Sequence, residues 1–195
     1  VKISSPDHSA GQSYEMVLPT TDVTAGRILR VASVSGSGAT GVGQLSFDTG
    51  NTPAFEAYVG SAQTGLSAST WTKCAFNTER FDTDSMYDAS SNYRFTPTVA
   101  GKYFVYLVTD LYSDTTYQAY VFNNAIYKNG SLMYYSPNNA NPSYDEYERT
   151  IVLTATIDMN GSSDYLEGWA RVTTGSGTWS INQTYSYFGA YKIIG

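Results

Sequence analysis

Six consecutive positions, 103–108, read Tyr-Phe-Val-Tyr-Leu-Val with no polar residue among them. A run this short, rich in aromatic and β-branched side chains, predicts a strand covered on both faces. The chain before it turns. Phe95-Thr96-Pro97 is extended, because Pro97 drives Thr96 out of the helical region, and Ala100-Gly101 reverses the direction. A second two-sided run occupies 185–194, interrupted by Ser186 and Lys192. Elsewhere the pattern alternates. Ile151, Leu153, Ala155 and Ile157 interleave with Val152 and threonines. Leu166, Gly168, Ala170 and Val172 share one face, opposite Glu167, Trp169 and Arg171. Both patterns predict half-buried strands. Asn129-Gly130 and Asn160-Gly161, each flanked by apolar residues, predict hairpin turns. No stretch repeats at the helical period. The prediction is an all-β protein, a sandwich of about eight to ten antiparallel strands.

Near the start, Tyr14, Met16 and Leu18 alternate with Glu15 and Val17, and two more short strands follow at 25–31 and 43–47. Three short strands with Gly-rich turns bury little apolar area alone. Residues 61–69 are small and polar and mark the expected boundary. The organisation read from this is a β-rich shaft or connector module at 1–66 and a head at 67–195, its first strand at 71–77. Residues 1–13 read as a linker, and His8 within it is given no role. Cys74 is the single cysteine, so no intrachain disulfide forms. It shares a face with Phe76 and reads as a small buried hydrophobe.

Composition narrows the function. Charged residues are 14% and the net charge is −6, which argues against nucleic acid or an anionic membrane as partner. No run reaches the ~18 apolar residues of a membrane span. No leader is visible, and a chain opening on Val1 is expected to be a piece of something longer.

Tyr87-Asp88, Phe95-Thr96, Gly101, Tyr103 and Val105 together resemble the motif of the globular-head family of the complement first component's q subunit. That family shares its jelly roll with tumour necrosis factor. The resemblance continues through Ile126-Tyr127-Lys128-Asn129-Gly130, Ile157-Asp158-Met159-Asn160-Gly161, Asp164-Tyr165-Leu166 and Phe188-Gly189-Ala190-Tyr191. Two features depart from it: Gly189 sits one place early, and no collagen-like repeat precedes the head. The resemblance implies a jelly-roll head and a homotrimer whose threefold packing covers the second apolar face. Tyr103, Val105, Leu107, Tyr185, Tyr187, Phe188 and Tyr191 are then expected in the core or the trimer interface. The leading segment is similar to one common in bacteriophage tail-fibre proteins: Tyr14-x-x-x-Leu18-Pro19, Gly26-x-x-Leu29 and Gly43-x-Leu45-Ser46-Phe47. There it forms a small intertwined β module along a trimeric shaft. This implies a fibre tip on a virion (otherwise an extracellular protein), joined to other tail proteins through its N-terminal side, with a host-cell surface glycan or protein as receptor.

Candidate chemistry is sparse. A serine triad needs a histidine, and the one present lies in the linker. No spacing singles out a pair among the 17 acidic residues, so the expectation is a non-enzyme without a cofactor. Asp82, Asp84 and Asp88 form a weak alternative for calcium, but short aspartate clusters in turns more often cap backbone amides. Three Asn-x-Ser/Thr sequences, at Asn129, Asn160 and Asn182, read as turns. The richest surface stretch is 133–149, longer than an ordinary hairpin loop. Tyr134, Tyr135, Asn138, Asn139, Asn141, Tyr144, Asp145 and Tyr147 are its candidate receptor contacts, since tyrosine makes rigid amphipathic contact at low entropic cost. Packing against a neighbouring subunit is the competing role for these tyrosines. Asp145, Glu146 and Glu148 point to a neutral or amino-bearing glycan. Against the binding head stands a purely structural reading, a trimerising fibre or head-decoration protein. More distant is a secreted complement-like binding protein.

Overall fold

The computed structural model describes residues 15–20, 27–37, 41–48, 50–113, 119–139, 146–183 and 185–194. Among these every regular element is a strand. The chain divides into two compact units, Val1–Gly50 and Asn51–Gly195. In the smaller one, β1 (Glu15–Val17), β2 (Ile28–Ser35) and β3 (Val42–Asp48) form a single sheet in the order β1-β3-β2. Leu45 is buried, but β2 is exposed along its whole length, with Ile28 at 59% and Val34 at 64%. Among the described residues of this unit, the single sheet has no second layer to bury them.

The larger unit begins with β4 (Ala54–Tyr58), β5 (Gln63–Ser67), β6 (Thr72–Lys73), β7 (Thr78–Asp82), β8 (Tyr87–Asp88) and β9 (Arg94–Phe95). It continues with β10 (Gly101–Ser113), β11 (Ala119–Lys128), β12 (Ser131–Tyr135), β13 (Asn138–Asn139) and β14 (Glu148–Met159). It closes with β15 (Leu166–Thr174), β16 (Thr178–Ile181) and β17 (Tyr187–Ile194). Two seven-stranded sheets result. In the first the order is β5-β16-β10-β17-β4-β7, with β14 on the free side of β10; in the second it is β12-β11-β15-β9-β8, with β13 on β11 and β6 on β15. The excess over eight to ten strands comes from two-residue pieces such as β6, β8, β9 and β13, too short to carry a period.

The boundary expected near residue 66 lies instead at Gly50/Asn51. Phe55 on β4 is fully buried and β4 pairs with β17, while β5 pairs with β16. The polar stretch at 61–69 therefore contains an edge strand of the head. The head's first strand is β4, not the segment around Trp71.

The core forms around Phe55. Its ring stacks on Tyr87 and on Phe95, both at 4.5 Å, and meets Phe188 edge-on at 5.2 Å. Aromatic pairs in these geometries add stability beyond the area they bury. Tyr103, Val105, Leu107 and Phe188, expected in core or interface, are all fully buried here. Cys74 is buried too, and burial pushes its thiol far above the ordinary value, which leaves it inert as a nucleophile.

Asn129 (φ 54°) and Gly130 (φ 75°) take the two left-handed positions of a two-residue hairpin turn between β11 and β12. Asn160-Gly161 opens a longer loop: Asn160 Oδ1 accepts from the amides of Ser162, Ser163 and Asp164 at 2.9–3.0 Å. The Asp164 carboxylate joins the two turns, taking Asn129 Nδ2 at 2.8 Å and pairing with Lys128 at 2.8 Å.

Candidate functional site

β11 and β15 run antiparallel, with Asn123 opposite Arg171, Ala125 opposite Trp169 and Tyr127 opposite Glu167. Directly opposed residues point to the same side, so these six share the face turned away from the core. Phe122, Asn124, Ile126, Gly168, Ala170 and Val172 line the other. β12 places Tyr135 opposite Ala125, and β6 places Lys73 opposite Trp169. The outer face of an antiparallel sheet is ordinarily polar. This one is aromatic.

Tyr127 stacks on Trp169 at 4.6 Å, and Trp71 meets Tyr127 and Tyr135 edge-on at 6.3 and 6.5 Å. Burial raises the Tyr127 hydroxyl's pKa, and the nearby Arg171 opposes that shift. The Lys73 ammonium lies 5.7 Å from the Trp169 ring and pairs with Glu167 at 2.5 Å. Trp169 Nε1 donates to the same carboxylate at 3.2 Å. Beside this ladder Trp71, Leu132, Tyr135 and Arg171 line a cleft of about 250 Å³. The Arg171 guanidinium sits 4.9 Å from the Trp71 ring, and its Nη2 donates to Asn123 Oδ1 at 3.0 Å. Asn123 is held in turn by donating to the Ser136 carbonyl at 2.6 Å.

Of the receptor contacts expected from sequence, Tyr135 stands at this cleft, 50% exposed. Tyr134, also exposed, is opposite Ile126 and so faces the other side of the strand. Asn138 donates to Ser136 Oγ, and Asn138 and Asn139 belong to β13 on the sheet edge. Asn141, Tyr144 and Asp145 lie outside the described residues, as does His8. Tyr147 borders a different hollow, about 330 Å³, with Tyr112, Ser113, Glu148 and Asn182. The structure therefore separates Tyr135 from Tyr147. It adds Trp71, Tyr127, Trp169 and Arg171, which the 133–149 stretch does not contain. One signal lies in the sequence: alternation puts Trp169 on the face opposite Leu166 and Val172, and outward tryptophans are enriched at interfaces.

At the second hollow Asp110 is buried under Glu148. Its Oδ1 accepts from Thr150 Oγ1 at 2.8 Å. The hydrogen bond and like charge of Asp110 hold the Glu148 carboxyl above the usual glutamate range. Asp82, Asp84 and Asp88 accept hydrogen bonds within their own turns. Asp82 takes the Tyr87 amide at 2.8 Å and Asp84 takes Thr83 Oγ1 at 2.5 Å. Asp88 takes the amides of Ser90 and Ser91 at 2.9 and 3.0 Å and Asn92 Nδ2 at 2.6 Å. These donors hold the Asp88 carboxyl far below the ordinary aspartate value.

The outward face of the other sheet is also aromatic. Phe104 lies 5.5 Å from Tyr191 and 6.3 Å from Tyr106, and Tyr106 lies 6.3 Å from Tyr187. Tyr106 donates to Glu56 at 2.7 Å, and Arg80 pairs with that same carboxylate while lying 5.3 Å from both Tyr58 and Tyr187. Val152 here is 62% exposed, and Tyr185, in the turn before β17, is 58% exposed. A Cβ on Gly189 would stand 2.3 Å from the Tyr106 ring. The closing glycine is early because it lies under that ring, while Ala190 turns into the core.

No protein-family profile matches the sequence, and no curated protein is similar to it in sequence. Solved structures are similar in fold. Murine APRIL at pH 5.0 matches with a TM-score of 0.52 and 9% identity, over 71% of this chain and 97% of that one. Eiger TNF from S. frugiperda matches with a TM-score of 0.52 and 10% identity, over 71% and 90% of the two chains. The head is a jelly roll of the tumour necrosis factor type. At such identities the likeness establishes the fold and nothing about activity.

Proposed function

We propose that this chain is the non-enzymatic, homotrimeric tip of a bacteriophage tail fibre, whose head recognises a host-cell surface receptor, a glycan, through the outer face of β11 and β15. The observation that carries it is the aromatic ladder Tyr127–Trp169 with the Trp71–Tyr135–Arg171 cleft beside it. Sugar rings offer apolar C–H faces for such rings to stack on, and polar side chains around them fix orientation. The trimer rests on the opposite face. Phe104, Tyr106, Tyr187, Tyr191 and Val152 form an apolar patch that a second and third copy would cover, since large exposed patches are rare on monomers. The exposed strand β2, with Ile28, Leu29, Val31 and Val34, supports an intertwined shaft at the N-terminal side, through which other tail proteins would attach. Its likeness to the tail-fibre segment is what gives the reading its phage context and its virion location.

The test is to incubate purified trimer with whole candidate host cells, with free glycans as competitors. Binding to one host, competed by a glycan and lost with Trp71→Ala in an intact trimer, supports the reading. An intact trimer that binds no proven host overturns receptor recognition and leaves a trimerising structural component.

A further inference from the structure

Among the described residues, Arg30, Lys73, Arg80, Lys102, Lys128 and Arg149 are tied to carboxylates. Arg171 has no such partner among the described residues. The one acid near it on β15, Glu167, is already taken by Lys73 and Trp169. Arg171 Nε is shielded from solvent and has no acceptor among the described residues. A buried donor without a partner is costly, most of all on a charged group, and native structures seldom leave one without a reason. The guanidinium is nevertheless held in place, by Trp71 on its face and by Asn123 on Nη2. It is an oriented cation, set in an aromatic wall and lacking its anion.

The expectation of a neutral or amino-bearing glycan rested on Asp145, Glu146 and Glu148. Glu146 is neutralised by Arg149, which donates to it at 2.5 and 2.7 Å. Glu148 faces Asp110 and does not line the Arg171 cleft. Neither of them opposes an anion at this cleft.

Building on the receptor reading above, we propose that the cleft takes a carboxylate-bearing sugar, one acidic pyranose displayed on a surface polysaccharide. Its carboxylate accepts from the Arg171 guanidinium, and its apolar ring face lies against Trp71 and Tyr135. Planar guanidinium against planar carboxylate is the strong, oriented form of the ion pair. The cleft's volume is below the ~300 Å³ at which drug-sized pockets begin, which suits a single ring. Tyr135, half exposed on an edge strand, borders the cleft beside that guanidinium. Asn123 acts as a positioning residue, holding the guanidinium fork toward the cleft.

The test titrates the full chain with methyl β-glucuronide, methyl β-glucoside and inorganic sulfate, following tryptophan fluorescence. The glucuronide is expected to bind at least about tenfold more tightly than the glucoside, the scale of one charge-assisted hydrogen bond. Arg171→Gln should remove that preference, bringing the glucuronide down to the affinity of the glucoside for the same variant. Tyr135→Ala, at an exposed edge position, should weaken both sugars with the melting temperature intact, which separates loss of the site from loss of the fold. Equal affinity for the two sugars, or a preference that survives Arg171→Gln, overturns the proposal. So does sulfate binding as tightly as the glucuronide, since the site would then be a bare anion site. Host-cell binding competed by the glucoside but not by the glucuronide sinks this inference and spares the receptor reading. An intact trimer that binds no host cell sinks the receptor reading itself.

Discussion

On the outward face of the β10 sheet, four aromatic rings lie 5.5 to 6.3 Å apart in a tilted and edge-on mosaic, and the cation among them, Arg80, is answered by Glu56. On the outward face of the β11 sheet the rings are as many, yet they border a cleft, and the cation there, Arg171, meets no carboxylate among the described residues. Aromatic content alone does not separate a surface that packs from one that recognises. What separates them is whether the polar groups among the rings are already satisfied. A satisfied apolar face is ready to be covered by another copy, whereas an unsatisfied charge in a cleft awaits a ligand of opposite sign.

Both faces stand on the same core, so the largest effect is expected from removing its centre. Phe55→Ala should cost about 3–5 kcal/mol, and trimer and ligand binding should fail together in a denaturation series. If the cleft kept its ligand while the core softened, the two faces would not share one support. Next in size is Val152→Asp, which puts a charge on the β10-sheet face alone. Light scattering should then give the 21.3 kDa of a single chain where the parent gives three times that mass. Tyr135→Asp on the other face should leave the trimer intact. A trimer that survives Val152→Asp, or one lost with Tyr135→Asp, reverses the assignment of the faces.

Gly189→Ala is a finer probe, because its methyl meets the Tyr106 ring. Overpacking of this kind costs about 1–3 kcal/mol and should lower the melting temperature without changing sugar affinity. Smaller still is the pH response. The Glu148 carboxyl is raised by Asp110, so its contribution is complete below the ordinary 4.5 and is lost as pH rises through the raised value. Glu148→Gln should therefore raise the melting temperature at neutral pH and flatten its decline above 4.5. Asp88 runs the other way: its carboxyl is held low, so its contribution is complete above the ordinary 3.8 and fades as pH falls. Melting curves of Asp88→Asn and Glu148→Gln across pH 3 to 8 should bend in opposite directions. The smallest expected effect is none: a chelator should leave the melting temperature unchanged, since Asp82, Asp84 and Asp88 already hold backbone and side-chain donors. A fall that calcium alone reverses would make that cluster a metal site.

Much of this molecule is local and was legible in the sequence. The run at 103–108 became the central strand β10, with Tyr103, Val105 and Leu107 inward and Phe104 and Tyr106 outward. Asn129-Gly130 made its turn. Leu166, Ala170 and Val172 were buried, with Trp169 and Arg171 on the other side. Alternation in a strand is a property of the backbone, so side-chain period and turn chemistry assign faces without knowledge of neighbours. Which faces meet is another matter. Phe55 falls within the connector expected from sequence, because nothing local tells a β4 strand that its partner β17 lies more than a hundred residues on. Trp71 and Arg171 meet across a similar distance, and Asp110 and Glu148 meet through pairing across the sheet. Those encounters are decided by strand order and register, which follow from how the whole core closes rather than from any stretch of the chain. The sequence by itself determined the strands and their two sides; the jelly-roll crossings determined which residues stand together as a site.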